Sequence, residues 1–550
     1  MFAQILIVIV VAIAITALAE RRNIQPSLLV AMVGLAASFI PGLPRLELEP
    51  EIILGVVLPP MLFSAASDFS FTSFARRLGP IVNLGVFQVF GVGALVSIVA
   101  TLTVPGIDPA SAIILGAVVA PPDAVAAIAI GRKAGFPTGL MTVLKGESLI
   151  NDAAALTLFA GAVAAVAGTQ AFINGTALYF LYAAVVGSVL GLLIGNLAAV
   201  ARRKLASPSL ATAVSVIVPF ATYLLAEELH ASGVLAVVMA GFTLGHHGAQ
   251  SGYRERMQER AFWRTIDTLL ETFVFAYIGL QLRFVITDAL EAGYDLWELA
   301  GAGVAIFLTT ILVRFAWVFG TAAIGRWRRR RGERRPRAAR QERGGRRGLR
   351  GTPPPPEPPL SWKENLILSW TGMRGVVTLA AAAGIPLVTV SGAEFPGREP
   401  ILALAFLVTI ATLLIQGLTL PLLLGWLKLD TPTDGQYERE QHERAALIAE
   451  RANAEALEAY RATHTSPTSR RMADIMASRT MRAADAEAPA GFDRNEALVL
   501  GNLLLEARRT QLVAARDARE LDDTVLRDLL EQMDLEQAFM DSMGERAAGS

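Results

Sequence analysis

The sequence predicts an all-α polytopic membrane protein, with 12 or 13 transmembrane helices in inverted repeats around two interrupted spans, followed by a cytoplasmic helical domain. Three observations carry that fold class. The 550 residues are 53% hydrophobic, with a mean hydropathy of +0.47 and only 18% charged residues, a balance foreign to a soluble chain of this size. Apolar runs of spanning length recur along residues 2–426, and the loops between them alternate in charge.

A spanning helix needs roughly 20 mostly apolar residues. On that template the segments are 2–19, 27–40, 52–66, 81–104, 110–130, 140–167, 177–200, 210–229, 233–244, 266–282, 299–324, 366–388 and 401–426. The second, third and ninth are short enough to be tilted partners or re-entrant pieces, which leaves twelve as the alternative count. Met1 runs directly into apolar residues without a basic region, so the first segment is expected to be a retained helix rather than a cleaved signal.

The loops test this division. Arg21/Arg22, Arg76/Arg77, Arg132/Lys133, Arg202/Arg203/Lys204, the 253–264 segment and the arginines of 326–350 all fall in odd-numbered loops. Even-numbered loops carry Glu47/Glu49/Glu51, Asp108, Asp288/Glu291/Asp295 and Glu394. The positive-inside rule then puts the odd loops and the C-terminus in the cytoplasm and the N-terminus outside. This divides the chain into a transmembrane domain over 1–430, with an Arg/Pro-rich cytoplasmic linker at 326–360 inside it, and a helical tail over 431–550. The linker reads as a solvated segment near anionic lipid, not a nucleic-acid site. The tail has amphipathic spacing at 496–509 and 521–533 and no catalytic signature.

The chain has no cysteine, which excludes disulfides, thiol nucleophiles and cysteine-bound metals, and its five histidines show no metal-binding spacing. No nucleophile and base pair for an embedded hydrolase is legible, so no enzymatic activity and no cofactor are expected. Ionisable residues inside spans cost about 2.5–3.5 kcal/mol each at mid-membrane, so each is a candidate functional group. Those singled out are Asp123, Glu147, Asp152, Arg314 and Arg374. Two bases against three acids imply one unmatched carboxylate.

Helical geometry separates the acids of KGESLINDAA, residues 145–154. At roughly 100° per residue, Ser148 and Asp152 share one face, Glu147 and Asn151 another, and Glu147 lies about 140° from Asp152. One face offers oxygen ligands for a hard cation. The other offers a carboxylate that an arginine can hold, and salt-bridged packing alone is the structural alternative for all three acids. Asp123 lies in APPDAVAAIAI, where Pro121 and Pro122 interrupt a spanning pattern. TGMRGVVTLAAAAGIP has Gly372 and Gly375 around Arg374 and occupies the equivalent place if the first six and last six segments are inverted repeats. A proline kink and a small-residue packing face are the plainer reading of these two features.

APPDAVAAIAI, KGESLINDAAALTLF, SGVLAVVMAGFTLG, TFVFAYIGLQL and SWTGMRGVVTLA, in this order between residues 5 and 427, together resemble the NhaP/NHE-type monovalent cation:proton antiporters. The resemblance implies a homodimeric, two-part helical fold with two crossing broken helices. It makes Asp152 the ion- and proton-binding carboxylate, with Asn151 its helper, Ser148 a ligand and Asp123 near the ion, through water or directly. It pairs Arg314 with Glu147, places Arg374 at the helix crossing, and, through the Asn-Asp pair, implies electroneutral exchange. Two departures bear on the ion: Pro122 stands where many relatives have threonine, leaving its backbone carbonyl as ligand, and Ser64 where several have glutamate.

The expected function is therefore exchange of Na+, with K+ or Li+ as alternatives, for H+ across the cell membrane by competition for Asp152. Rival classes are a cation channel, which calls for a filter repeated around a symmetry axis, and an organic-solute carrier, which calls for aromatic and hydrogen-bonding pocket residues.

Overall fold

The computed structural model describes the chain apart from residues 1, 23–24, 42–44, 46–51, 169–175, 206, 334–359, 428–431, 465, 467–468, 471–472, 475–493, 519 and 549–550. The described residues are helical almost throughout, with one isolated β-bridge between Val388 and Glu394. The helices of the apolar part are α1 (Phe2–Arg21), α2 (Pro26–Ser38), α3 (Ile53–Ser67), α4 (Leu78–Thr103), α5 (Pro109–Val119), α6 (Val125–Ala134), α7 (Thr138–Ala167), α8 (Thr176–Arg203), α9 (Pro208–Glu228), α10 (Gly233–Gly248), α11 (Tyr253–Glu291), α12 (Leu296–Glu333), α13 (Trp362–Trp370), α14 (Val376–Ala383) and α15 (Arg398–Leu427). The tail adds α16 (Pro432–Thr463), α17 (Arg494–Asp517) and α18 (Asp523–Ala548).

Every apolar segment read from the sequence is occupied by a helix, or in two cases by a pair of half-helices. Eight helices are long and apolar enough to cross a bilayer unaided, and α2, α3, α5 and α10 are shorter. This is a multi-pass membrane protein. The half-helices are α5/α6 and α13/α14. Asp108 caps α5 by accepting from Ala110 N and Ser111 N, with Pro109 at the first helical position. The helix stops at Val119 because Pro121 and Pro122 lack the N–H that a continuing helix requires. A capping box between Ser361 and Glu364 starts α13.

Two boundaries differ from the sequence reading. The tenth segment, expected over 266–282, is the centre of the 39-residue α11, which absorbs the basic 253–264 loop and the acids at 288 and 291. The linker expected from Arg326 begins as helix, because α12 runs to Glu333: arginine favours helix and nothing before Pro336 interrupts it. The remainder of that linker, 334–359, lies outside the described residues.

Two apolar cores divide the membrane part. One draws on α2, α4–α7 and α11–α15; the other on α3, α7, α8, α9, α10 and the start of α11. Helix α7 serves both, with Val143 and Leu144 in the first and Leu149 and Ala153 in the second. Helices α2 and α11 approach until backbone meets backbone: a Cβ on Gly34 would lie 2.9 Å from Ala276 O, and one on Gly279 would collide with Ala31 O.

The tail docks against the end of this bundle. Arg527 of α18 donates to Ser67 O (2.9 Å) and Phe69 O (3.2 Å), just past α3, and Arg516 donates to His246 O (3.2 Å) in α10. Arg256 of α11 forms a two-point pair with Asp534, Nε to Oδ2 at 2.9 Å and Nη2 to Oδ1, with both side chains buried. Removing one partner of such a pair strands a buried charge, at a cost of about 3–5 kcal/mol. Arg256→Ala is accordingly expected to loosen α18, seen as faster proteolysis within 523–548 at unchanged bundle stability; wild-type cleavage rates would show that the pair does not hold the tail.

Candidate ion site at the crossing of two broken helices

The unwound stretches between α5 and α6 and between α13 and α14 touch: Asp123 N donates to Met373 O at 2.6 Å. Four helix ends meet there, each with unpaired backbone groups and a partial charge. Asp123 serves the two N-termini, its carboxylate accepting from Val125 N (2.8 Å) in α6 and from Val376 N in α14. Arg374 serves the two C-termini, donating from Nε to Val119 O (3.0 Å) and from Nη1 to Gly372 O. Gly375 has to be glycine, because a Cβ there would run into the Asp123 carboxylate.

Helix α7 passes this crossing with its two faces differently occupied. Glu147 accepts from Arg314 at both oxygens, 2.5 Å to Nη1 and 3.0 Å to Nη2, with each side chain only 2% exposed. Arg314 Nε also donates to Leu368 O at 3.0 Å, tying α12 to α13. Asn151 donates from Nδ2 to Pro122 O at 2.5 Å, and its Oδ1 is buried without a hydrogen-bond partner. Asp152 is 8% exposed, and no hydrogen bond or cationic partner reaches it among the described residues.

Asp152 opens instead into a cavity of about 640 Å³ that Ser148, Asp123 and Ser64 also line. The cavity extends to the docked tail, where Asp523, Arg527 and Glu531 border it. Two further acids on α11, Asp267 and Glu271, lie on its wall. They are one turn apart and share a face. Ser64 Oγ donates to Asp267 at 2.5 Å, and Ser27 is hydrogen-bonded to Glu271.

A family model for the transmembrane sodium/hydrogen exchangers matches residues 6–426. The chain belongs to the sodium/hydrogen exchanger family. The exchanger is 29% identical over 547 residues to an uncharacterized Na(+)/H(+) exchanger of Mycobacterium tuberculosis, covering 98% of this chain and 96% of that one. It is 29% identical over 431 residues to the Na(+)/H(+) antiporter ApNhaP of Aphanothece halophytica, covering 76% and 73%. The solved structure of the sodium proton antiporter MjNhaP1 from Methanocaldococcus jannaschii superposes with a TM-score of 0.55 at 17% identity, covering 77% of this chain and 96% of that one, and shares its fold. The family is one of transporters, not of enzymes.

The exchanger corrects the charge inventory read from the sequence. That inventory left out Asp267 and Glu271, although both lie inside the predicted 266–282 span; the same insertion cost that singled out Asp123 would have found them. It also left out Lys145, inside the predicted 140–167 span and on the cavity wall. The expectation of a single unmatched acid fails too. Arg374 binds carbonyl oxygens and no acid, so its charge is spent on helix ends. Pro122, expected to offer its carbonyl to an ion, accepts a hydrogen bond from Asn151 at that carbonyl, which keeps a second lone pair. Ser64, where a glutamate was missed, holds a carboxylate supplied by another helix.

The Glu147–Arg314 pair predicts a non-additive stability pattern. Arg314→Met alone is expected to cost about 3–5 kcal/mol by leaving Glu147 charged and buried, whereas adding Glu147→Met recovers most of it. Thermal unfolding of detergent-purified protein measures both; a double variant no more stable than the single one would contradict this account of the pair.

Proposed function

We propose that this exchanger is an electroneutral antiporter, trading one monovalent cation, Na+ ahead of K+ or Li+, for one proton across the cell membrane. The observation that carries the reading is Asp152, a buried carboxylate on a cavity with no partner of its own. A charge in that position is costly to leave uncompensated. A proton or a cation can neutralise it, but not both at once, and this competition couples the two flows. Because each loaded form cancels the same single charge, no net charge crosses per cycle.

In this reading Ser148 supplies an oxygen beside Asp152, Asn151 holds the α5/α6 break through Pro122 O, and Asp123 acts near the ion while fixing two half-helices. The Glu147–Arg314 pair keeps α7 and α12 moving as one body. Asp267 and Glu271 add negative potential along the cavity, concentrating cations before they reach Asp152. Residues 1–430 form the transmembrane exchanger domain and 431–550 a cytoplasmic tail, with the N-terminus outside. The protein works as a homodimer in the bilayer and takes its energy from an existing ion gradient. The tail contacts α3, α10 and α11, and in this orientation it sits at the cytoplasmic mouth of the cavity.

Cation-driven proton movement in proteoliposomes tests this. Wild-type protein is expected to show saturable exchange, insensitive to an imposed membrane potential, and Asp152→Asn to fall to the level of empty vesicles. Retained exchange in Asp152→Asn would remove the shared-carboxylate mechanism, and voltage-dependent rates would remove electroneutrality. Asp267→Asn is expected to raise half-saturating Na+ several-fold at unchanged maximal rate; a loss of rate with unchanged saturation would instead place Asp267 in the switching step.

A further inference from the structure

Helix α14 begins at Val376, directly after the crossing, and its third residue is Thr378. Several helical threonines of this protein turn their hydroxyls back onto the carbonyl four residues earlier, among them Thr157 to Ala153 O (2.7 Å), Thr212 to Pro208 O (3.0 Å) and Thr309 to Ala305 O (2.7 Å). For Thr378 that position is Arg374, which lies in the unwound stretch before the helix, and the Gly375 backbone between them (φ −145°, ψ −143°) is far from helical. The carbonyl is therefore out of helical register. Thr378 is 1% exposed, and its Oγ1 has no hydrogen-bond partner among the described residues. Thr222 and Thr409 are buried with unpaired hydroxyls as well, but of the three only Thr378 lies on the cavity wall, where a group entering the cavity can offset the desolvation penalty of the unpaired oxygen.

The placement says what the hydroxyl is for. Thr378 lines the same cavity as Asp152, Ser148 and Asp123. Helix α14 packs against α7, and Val377, its neighbour in sequence, shares an apolar cluster with Leu149 and Ala153, which flank the Ser148 and Asp152 positions. The hydroxyl is thus an oxygen without a protein partner among the described residues, on the wall of the cavity that Asp152 also lines. We propose that Thr378 Oγ1 is a ligand of the transported alkali cation, joining Asp152 and Ser148 from the opposite half-helix and helping to set which cation is preferred.

The proposal rests on Asp152 being the shared site, and it has a signature of its own. A proton needs one acceptor atom, whereas an alkali cation needs a shell of oxygens. Losing Thr378 should therefore weaken cation binding and leave proton binding alone.

The experiment compares wild type, Thr378→Val and Thr378→Ser in proteoliposomes with Na+, K+ and Li+, and measures the melting temperature of each purified protein with and without Na+. Thr378→Val keeps the shape and removes the oxygen. It is expected to raise half-saturating Na+ by about tenfold, to change the order of preference among the three cations, and to lose most of the Na+-induced rise in melting temperature. Its proton dependence should match wild type, its melting temperature without Na+ should be equal or higher, and Thr378→Ser should restore cation affinity. Wild-type saturation by all three cations in Thr378→Val would overturn the proposal, as would a serine variant as impaired as the valine one. If Thr378→Val transports poorly, the Na+-induced melting shift still decides: a full shift overturns the proposal and an abolished one supports it. Exchange persisting in Asp152→Asn would bring down the underlying reading, whereas an inactive Asp152→Asn beside a wild-type-like Thr378→Val would bring down this inference alone.

Discussion

Compensation of four helix ends by two side chains is the constraint on which the site depends. Breaking two helices inside an apolar bundle exposes N–H groups at α6 and α14 and carbonyls at α5 and α13, where lipid offers no water to satisfy them. Asp123 answers both N-termini and Arg374 both C-termini, so the crossing holds an acid and a base, far apart in sequence and near in space, without a direct salt bridge between them. The Asp123 N–H to Met373 O bond then fixes one break against the other. Asp123 and Arg374 are each committed in this way, whereas no hydrogen bond or cationic partner reaches Asp152 among the described residues.

The same logic divides α7. Glu147 and Asp152 are five residues apart, and the helical turn sends one toward Arg314 and the other toward the cavity. The first is locked by a bidentate pair within the protein. The second meets no hydrogen-bond or cationic partner among the described residues. A helix that belongs to both apolar cores thus presents an arginine-paired acid on one side and an acid facing the cavity on the other, and any movement of α7 carries both.

The cavity joins these features to parts of the chain far away in sequence. Its acids come from the end of α3, the leading edge of α6, α7, α11 and α18, and its far end is bordered by α18, held there by Arg256–Asp534 and by Arg527 on the carbonyls at the end of α3. The tail is not a free appendage: whatever enters the cavity from that end passes residues 523–531.

Hydropathy and segment length were legible in the sequence because a bilayer allows few ways to satisfy a backbone, so apolar runs of spanning length could only be helices. The two breaks were legible as well, since Pro121 and Pro122 remove donors and Gly372 and Gly375 admit close approach wherever they fall. The division of α7 into two faces followed from helical periodicity alone. Asp267 and Glu271 were present in the sequence too, but nothing local marked them as facing the same space as Asp152. That depends on how α11 is rotated against α3 and α7, which side-chain packing decides. Likewise, the sequence could count arginines and acids but not pair them: that Arg374 serves carbonyls, that Ser64 borrows a carboxylate 203 residues away, and that α18 docks on α11 are outcomes of tertiary geometry. Local composition therefore determined what the chain is made of and where it breaks, while the partners of each buried charge were decided only when distant helices were brought to within a hydrogen bond of one another.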